Sequence, residues 1–424
     1  MTILASANRL PAALYWLALG TFAIGTEGFM IAPLLPKLAA DLSVSVVTAG
    51  QLVTVFALTY ALSSPILTTL TGSVDRRTLL VMSMMSFALA NFVAWSADSY
   101  GALMGARILL ALAAGLYVPN ANALAGALVA PGRRGTALAV VSGGTTVAVA
   151  LGVPLGALVG DRFGWRLTFA GVGVLALVAM FGLLTGLARN VGSGIPVANL
   201  RDRIAVARRP AVLIALLVTI LWATGAYTVY TYLAAFLASA TGSTGWHVGM
   251  VLFMWGIAAA AGLGAGGTLT DKFGPRAIIV VSLTALALAF MSLSASASWL
   301  SRSSALVPVL VAIAVWGVSA WAFFPAQQAR LIALAGVRVA PVALSLNASS
   351  MFIGFSLGAA LGSITLVHGG PEALGWVGAT CVVFSLLLMV VAIRRSASCR
   401  ATIRGDQPGA ANSDVDCGQA GSAA

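Results

Sequence analysis

Residues 267–276 read GTLTDKFGPR, and they stand between two long apolar runs. A related stretch, TGSVDRR at residues 71–77, also stands between two apolar runs. Each stretch has an acid followed by bases, and the two acids, Asp75 and Asp271, are about 200 residues apart. A polar motif that recurs between apolar runs is typical of a membrane protein with duplicated halves. The stretch at 267–276 therefore predicts both the class of fold and its internal repeat.

Two further features repeat at about the same offset. One is a series of glycines at four-residue spacing, and the other is a proline inside an apolar run. The members are Gly152, Gly156 and Gly160 with their counterparts Gly354, Gly358 and Gly362, and Pro119 with its counterpart Pro325. Chance rarely produces several elements that recur in the same order, so the sequence predicts two homologous halves.

The composition excludes most soluble classes of protein. The chain has 424 residues, of which 60% are hydrophobic and 8% are charged, whereas soluble domains carry about 25% charged residues. A soluble enzyme, a disulfide-stapled secreted domain and a disordered regulator are therefore excluded. The net charge of +12 does not indicate a nucleic-acid partner, because the bases fall in short clusters between apolar runs. The three cysteines and two histidines are scattered, which predicts neither a metal site nor a cofactor.

The apolar runs predict twelve membrane-spanning helices, since about 20 residues are needed to cross a bilayer. The runs fall near 11–32, 46–69, 78–95, 100–128, 136–159, 167–187, 211–238, 247–269, 277–294, 305–327, 342–366 and 373–393. We predict an all-α membrane protein with two pseudo-symmetric six-helix bundles. The predicted domains are an N-terminal bundle at 1–187, a cytoplasmic linker at 188–210, a C-terminal bundle at 211–395 and a disordered cytoplasmic tail at 396–424.

The basic residues predict the orientation. Of the 23 Lys and Arg residues, 18 fall on one side of the predicted membrane, four fall on the other, and Arg107 lies within a span. Cytoplasmic loops are enriched in Lys and Arg, so both termini are predicted to be cytoplasmic. The arginine-rich, alanine-rich composition suggests a bacterial source, and the predicted location is the inner membrane.

Glu27 and Arg107 are the acid and the base that lie well within predicted spans. A charge at such depth is costly unless it is paired or hydrated, so each is a functional candidate. At 1.5 Å per residue, the two lie about 9 Å and about 11 Å from the outer ends of spans 1 and 4. Two interpretations remain open: a carboxyl that exchanges protons with alternate sides, or a static ion pair that locks the helices.

The repeated polar stretches and the glycines predict conformational elements. The candidates are Asp75, Arg76, Gly267, Asp271 and Arg276 in the stretches, and Gly152, Pro154 and Gly156 in span 5. Asp271 is expected to cap a helix N-terminus or to bind an arginine of a neighbouring helix. The glycines allow close helix packing, and Pro154 would also ease a bend in span 5.

Aromatic and amide side chains are the candidates for a substrate cavity. They are Tyr117, Asn120, Trp222, Tyr227, Tyr230, Trp316, Phe323 and Gln327. Aromatic walls with a few polar groups suit an uncharged or cationic amphiphile, or a planar ring. The alternative is that these residues pack between helices or form the aromatic belt at the membrane interface.

Several motifs resemble those of the major facilitator superfamily, in its twelve-span drug/proton antiporter branch. The stretch 267–276 resembles the signature Gly-x-Leu-x-Asp-x-x-Gly-x-Arg, and residues 103–107 followed by Gly115 resemble the span-4 arginine motif. Residues 144–160 are similar to the span-5 motif of exporters, and residues 25–29 to the acidic span-1 motif of bacterial efflux members. The resemblance implies that Glu27 carries the proton.

One stretch departs from the family pattern. At residues 71–77, Thr71 replaces the first glycine and the second glycine is absent, so the first-half latch is expected to differ. Residues 47–60 resemble the subgroup of purine, arabinose-type sugar and chloramphenicol exporters. That subgroup has several substrate classes, so the resemblance leaves the substrate open.

The sequence favours proton-coupled efflux of a small organic molecule by alternating access. The predicted partners are this molecule, protons and the lipid bilayer, and the protein is expected to act as a monomer. An importer or uniporter of a small metabolite on the same fold is the first alternative, since fold does not fix direction. A membrane sensor that binds a ligand without transporting it is the second. An enzyme is not predicted, because the spans contain no nucleophile–base pair.

Overall fold

The computed structural model describes residues 11–130, 133–188, 200–336 and 339–406. Within these ranges, the chain forms fifteen α-helices. They are α1 (Ala12–Asp41), α2 (Val46–Leu70), α3 (Arg76–Trp95), α4 (Tyr100–Ala127), α5 (Arg134–Val147), α6 (Val153–Arg162), α7 (Trp165–Gly186), α8 (Leu200–Ala207), α9 (Pro210–Tyr230), α10 (Leu233–Thr241), α11 (Trp246–Phe273), α12 (Pro275–Trp299), α13 (Arg302–Ala335), α14 (Ala340–Gly369) and α15 (Leu374–Asp406).

Twelve helical segments of the described chain are long and apolar enough to cross a membrane, which confirms the predicted number of spans. The fifth span is composite: a π-helical turn at Ala148–Gly152 joins α5 to α6. The linker contains the short helix α8. Residues 189–199 of the predicted linker and 407–424 of the predicted tail lie outside the described residues.

Three predicted boundaries were wrong. Helix α1 continues to Asp41, beyond the expected end at residue 32, because Leu34, Leu35 and Leu38 keep an apolar buried face. The seventh span, expected as one helix, is interrupted at residues 231–232 between α9 and α10. Helix α15 continues to Asp406, past the predicted start of the tail at 396, and residues 396–406 contain no proline that would end it.

The predicted loop at 267–276 is largely helical. Helix α11 continues to Phe273, and α12 begins at Pro275, so Gly274 alone connects them. Gly274 has a φ of 80°, a backbone conformation that glycine adopts readily and other residues avoid. Proline at the first position of α12 has no amide hydrogen to satisfy there. The two helices are therefore joined by a sharp corner.

The two bundles repeat the same helix pairings. In the N-terminal bundle, α1 packs on α5, α2 on α4, and α3 on both α4 and α7. In the C-terminal bundle, α9 packs on α14, α11 on α13, and α12 on both α13 and α15. Each pair of the first bundle thus has a counterpart in the second, which confirms the pseudo-symmetry predicted from the repeated motifs.

The two glycine series lie at equivalent helix–helix contacts, each against the first helix of its own bundle. A Cβ atom on Gly152, Gly156 or Gly160 would meet α1 side chains, namely those of Thr26, Met30 and Leu34. A Cβ atom on Gly354, Gly358 or Gly362 would meet α9 or the residues just after it. In both bundles the glycines therefore let two helix backbones approach closely, as expected for helices that associate within lipid.

The bundles contact each other at several levels along α2 and α14. We call the end at which α1 begins, and near which Arg76 and Arg276 lie, the basic side; the end with Asp41 is the opposite side. Toward the opposite side, Gln51 donates to Ser363 at 3.4 Å, and Arg162 lies over the ring of Trp246 at 5.3 Å. These contacts join the two bundles at the opposite side.

At the basic side, a linker residue spans the two bundles. The guanidinium of Arg203, on α8, donates to Ser345 of α14 at 2.6 Å and to Thr68 of α2 at 3.4 Å. Burial lowers the pKa of Arg203 from its ordinary value, by desolvation of the charged form. The linker is thus bonded to both bundles.

Candidate functional site

The structure brings Glu27 of α1 and Arg107 of α4 into direct contact. Arg107 Nη1 forms an ion pair with Glu27 Oε1, and both side chains are fully buried. Arg107 Nε also donates to the Leu52 carbonyl of α2 at 3.3 Å. The guanidinium carbon lies 4.1 Å from the centroid of the Phe56 ring, a cation–π geometry. Three helices of the N-terminal bundle therefore converge on one pair of charges.

Glu27 lies farther from the end of its helix than the sequence predicted, whereas Arg107 lies at the expected distance from the start of α4. Because α1 ends at Asp41, the fourteen residues after Glu27 place it about 21 Å from the end of the helix, rather than about 9 Å. The expected value was too small since the predicted span stopped at residue 32. Glu27 is thus near the middle of α1.

The ion pair leaves polar atoms unpartnered. Glu27 Oε2, Arg107 Nη2 and the hydroxyl of Thr26 are buried without a hydrogen-bond partner among the described residues. An unsatisfied buried polar group is costly, and it is common where a ligand, water or proton is exchanged. The free carboxylate oxygen is where a proton can be added without breaking a bond to Arg107.

An aromatic cluster connects the pair to the C-terminal bundle. Phe29, two residues beyond Glu27 on α1, makes edge contacts with Tyr227, Tyr230 and Phe355, with ring centroids 5.9 to 6.3 Å apart. Tyr227 stacks on Phe355 at 3.7 Å. Tyr230 donates its hydroxyl to the Phe29 carbonyl at 2.9 Å. Helix α1, which carries the Glu27 carboxyl, therefore also contacts the C-terminal bundle.

The predicted cavity residues of the C-terminal bundle separate into two groups. Tyr227, Tyr230 and Trp316 belong to one packed cluster, in which Tyr227 lies 5.4 Å from Tyr230. Trp255 joins this cluster, 5.2 Å from Tyr230 and 5.5 Å from Trp316. Trp222 and Phe323 stack on each other at 4.7 Å, with Gln327 one turn along α13. The structure does not bring all of these residues to one surface.

The two predicted cavity residues of the N-terminal bundle have partners inside that bundle. Tyr117 donates its hydroxyl to the Leu17 carbonyl at 3.2 Å. Asn120 accepts from Arg76 at 2.6 Å and donates to the Leu116 carbonyl at 2.6 Å. Their polar groups are engaged in holding α1, α3 and α4 together, so the expectation that they line a substrate cavity is not supported by their contacts.

The two acids of the repeated stretches occupy different structural positions. Asp75 is the N-cap of α3, where its carboxylate accepts from the Thr78 amide at 3.0 Å. Asp271 lies in the last turn of α11, is exposed, and within the described part of the chain forms neither a hydrogen bond nor an ion pair.

The expectation that Asp271 caps a helix was therefore wrong. An N-cap directly precedes its helix, and Gly274 occupies that position before α12. A carboxylate near a helix C-terminus also meets the unfavourable end of the helix dipole. A Cβ atom on Gly267 would meet no neighbour within 4 Å, so packing does not require a glycine there. Arg276, in the first turn of α12, is exposed.

Some residues of the site carried no signal in the sequence. Phe56 and the Leu52 carbonyl contact Arg107 from α2, but neither differs from other apolar residues of its span. Thr219 and Asn347 are buried in the hydrogen-bond network of Gln327, and the sequence did not single them out. In the described ranges, no group of three or more His, Cys, Asp or Glu side chains is placed to hold a metal ion.

Two pseudo-symmetric bundles of membrane-spanning helices, one of which buries an ion pair, are the architecture expected of a polytopic membrane transporter. Residues 17–336 match the family model described as Major Facilitator Superfamily, so the chain belongs to that superfamily. The fold agrees with this assignment. A crystal structure of a bacterial homologue of the human lysosomal transporter Spinster, inward-facing and unoccupied, is similar with a TM-score of 0.68 at 19% identity, over 90% of this chain and 94% of that one.

Bacterial relatives extend the comparison. An uncharacterized MFS-type transporter of Bacillus subtilis, YbcL, is 32% identical over 374 residues, which are 88% of this chain and 94% of the relative. A chloramphenicol resistance protein of Streptomyces lividans is 36% identical over 267 residues, which are 62% of this chain and 68% of that protein.

Proposed function

We propose that the protein is a proton-coupled exporter, which moves a small organic molecule out of a bacterial cell across the inner membrane. The observation that carries this proposal is the fully buried Glu27–Arg107 pair, with its unpartnered carboxylate oxygen near the middle of α1. Charged groups within the membrane are costly and mark ion or substrate pathways. In this proposal, Glu27 carries the proton and Arg107 is its counter-charge.

Protonation would change the forces between α1 and α4. With Glu27 ionised, Arg107 is neutralised by the carboxylate and also contacts Leu52 and Phe56 of α2. With Glu27 protonated, Arg107 keeps its α2 contacts but loses its counter-charge. A buried charge without its partner is destabilising, so the protonated bundle would favour an arrangement that hydrates Arg107. This is a physical route from proton binding to a conformational change.

Alternating access is the cycle that we propose. Toward the opposite side, the bundles are joined by Gln51 with Ser363, and near the middle of α1 by Phe29 with Tyr230. If the basic side is cytoplasmic, as the Lys and Arg distribution predicts, an exporter would take up its substrate when the bundles part at that side. The membrane potential then supplies about 2.3 kcal/mol per inward proton per 100 mV.

Export rather than import is supported by the relatives. One relative is named a chloramphenicol resistance protein, and resistance is a consequence expected of removal of the drug from the cell. The glycines and Pro154 of the fifth span, next to the π-helical turn at Ala148–Gly152, would allow that span to bend as the bundles rock. We therefore propose that the substrate class includes neutral, drug-like amphiphiles.

The test is gradient-driven uptake of chloramphenicol into inside-out vesicles that contain the full-length protein. We expect acidification of the vesicle interior to drive uptake by the wild type, and Glu27→Gln to abolish this uptake. Glu372→Gln is the matched control, because Glu372 lies in the short turn before α15 and is held by Ser239 at 2.5 Å. Uptake by Glu27→Gln at the rate of Glu372→Gln would contradict the proposal.

A further inference from the structure

Two polar groups of the C-terminal bundle are buried without partners, and neither belongs to the ion pair. The indole Nε1 of Trp222 and the amide Oε1 of Gln327 have no hydrogen-bond partner among the described residues. Trp222 is 7% exposed, and Gln327 is fully buried. One group is a donor and the other an acceptor, so together they can satisfy a ligand that presents one of each.

The orientation of the Gln327 amide is fixed by its neighbours. Its nitrogen donates to the Ala215 carbonyl at 2.6 Å and to the Thr219 hydroxyl at 3.0 Å. The Thr219 hydroxyl in turn donates to Asn347 Oδ1 at 2.7 Å. A carbonyl cannot donate, so the atom facing Ala215 must be the amide nitrogen. The amide oxygen is therefore the group left to accept from a ligand.

Trp222 and Gln327 lie on facing helices about one turn apart. Phe323 precedes Gln327 by four residues on α13 and stacks on Trp222 of α9 at 4.7 Å with an angle of 21° between the rings. Gln327 bonds to Thr219, which precedes Trp222 by three residues, so the two positions differ by about 4.5 Å along α9. The two unpartnered groups therefore belong to residues that are neighbours across α9 and α13.

The hydrogen-bond and stacking partners of these two groups are uncharged. The partners of Gln327 are a carbonyl, a hydroxyl and, through Thr219, an amide. The partner of Trp222 is the phenyl ring of Phe323. A cation would have to give up its hydration without a counter-charge from any of them, which is unfavourable in a buried site. A neutral ligand meets no such penalty.

We propose that Trp222, Phe323 and Gln327 form a substrate subsite for a neutral, ring-containing molecule. The ring packs against the Trp222–Phe323 stack, a carbonyl or nitro oxygen accepts from Trp222 Nε1, and a hydroxyl or amide hydrogen is donated to Gln327 Oε1. This inference rests on the proposed function and narrows its substrate class. Specificity then resides in the C-terminal bundle, apart from the proton site.

The test is equilibrium binding of radiolabelled chloramphenicol to the purified full-length protein in detergent, without a proton gradient. Chloramphenicol is neutral and offers a nitrophenyl ring, an amide and two hydroxyls. Trp222→Phe retains an aromatic ring beside Phe323 but removes the N–H donor. We expect its Kd to rise about three- to tenfold, the usual value of one hydrogen bond between uncharged groups. Gln327→Met should weaken binding by at least as much.

Trp255→Phe is the matched control. Its indole nitrogen is also buried without a partner among the described residues, but the ring packs on Tyr230 and Trp316, away from the subsite. We expect its chloramphenicol Kd to stay within about twofold of the wild type. Thermal unfolding of each variant checks that it is folded, and the Trp222→Phe comparison holds even if Gln327→Met is unstable.

Three results would overturn the subsite: no measurable chloramphenicol binding, an equal Kd for Trp222→Phe and wild type, or an equal loss in Trp255→Phe. Tighter binding of the cation tetraphenylphosphonium than of chloramphenicol would overturn the neutral preference. Because equilibrium binding needs no proton gradient, these results do not depend on whether transport is coupled to protons. Intact binding with no gradient-driven uptake would contradict the exporter and leave the subsite standing.

Discussion

The two bundles share a scaffold but differ in what they bury. Both pack a glycine-bearing helix against their first helix, α1 in one and α9 in the other. The N-terminal bundle buries an ion pair, and the Asn120 amide oxygen is occupied by Arg76. The C-terminal bundle buries an uncharged network in which Trp222 and Gln327 each keep a polar atom without a partner among the described residues. If both proposals hold, the duplicated fold assigns proton exchange to one half and substrate recognition to the other.

The largest expected effect is on the stability of the charged half. Arg107→Gln would leave the Glu27 carboxylate buried without its counter-ion, and breaking a buried ion pair in this way costs about 3–5 kcal/mol. In the uncharged network of the C-terminal bundle, Gln327→Met removes two hydrogen bonds. Their loss should lower the free energy of unfolding by about 1–3 kcal/mol. We expect thermal unfolding of the purified proteins to show a clearly larger loss for Arg107→Gln.

The double variant Glu27→Gln with Arg107→Gln is the control for this prediction. It removes both charges, so it should recover most of the stability lost by Arg107→Gln while remaining inactive in gradient-driven uptake. If Gln327→Met were the more destabilised protein, the proposed difference between the buried ion pair of the N-terminal bundle and the uncharged network of the C-terminal bundle would fail.

A loss of stability of intermediate size is expected at the glycines that pack the helices closely, and it should be equal in the two bundles. A Cβ atom at Gly152 would collide with Thr26, and one at Gly354 with the Ile220 carbonyl and Ala223. Overpacking of this kind costs about 1–3 kcal/mol. We expect Gly152→Ala and Gly354→Ala to lower the unfolding temperature by similar amounts. Gly267→Ala, where the space is open, should not lower it; a large difference between the first two variants would argue against equivalent packing.

The smallest effects are expected at the repeated acids. Asp75→Ala removes the N-cap of α3 and should cost about 0.5–2 kcal/mol of stability. Asp271→Asn changes an exposed side chain in the last turn of α11 and should change stability by less than about 0.5 kcal/mol. We expect Asp271→Asn to slow transport with little change in chloramphenicol Kd, because it acts on the conformational balance. A large rise in Kd would place it in or near the subsite.

The sequence predicted the fold more fully than the site. Twelve apolar runs and a repeated order of motifs were enough for the number of spans and the two bundles, because membrane helices must satisfy their backbone internally. The end of α1 was missed, since the predicted apolar run ended near residue 32, whereas the helix continues through Pro33 and Pro36 to Asp41. The interruption at residues 231–232 was missed because the apolar run continues through it.

Within the site, isolated charges were predictable and neutral contacts were not. Glu27 and Arg107 stood out because few charges lie inside spans, and the structure pairs them. Asn120 was predicted to line a cavity, yet Arg76 from another helix donates a hydrogen bond to its amide oxygen. Trp222 and Trp255 look alike in the sequence, and only their neighbours, Phe323 in one case and Tyr230 and Trp316 in the other, distinguish them.

The central claim is that Glu27 exchanges a proton as the transporter binds its substrate. The most direct measurement is proton release from the purified protein in weakly buffered detergent solution, followed with a pH indicator on addition of chloramphenicol. We predict release from the wild type, and none from Glu27→Gln or from the folded double variant with Arg107→Gln, while both variants still bind chloramphenicol. A well-folded Glu27→Gln protein that releases protons to the same extent as the wild type would contradict the account.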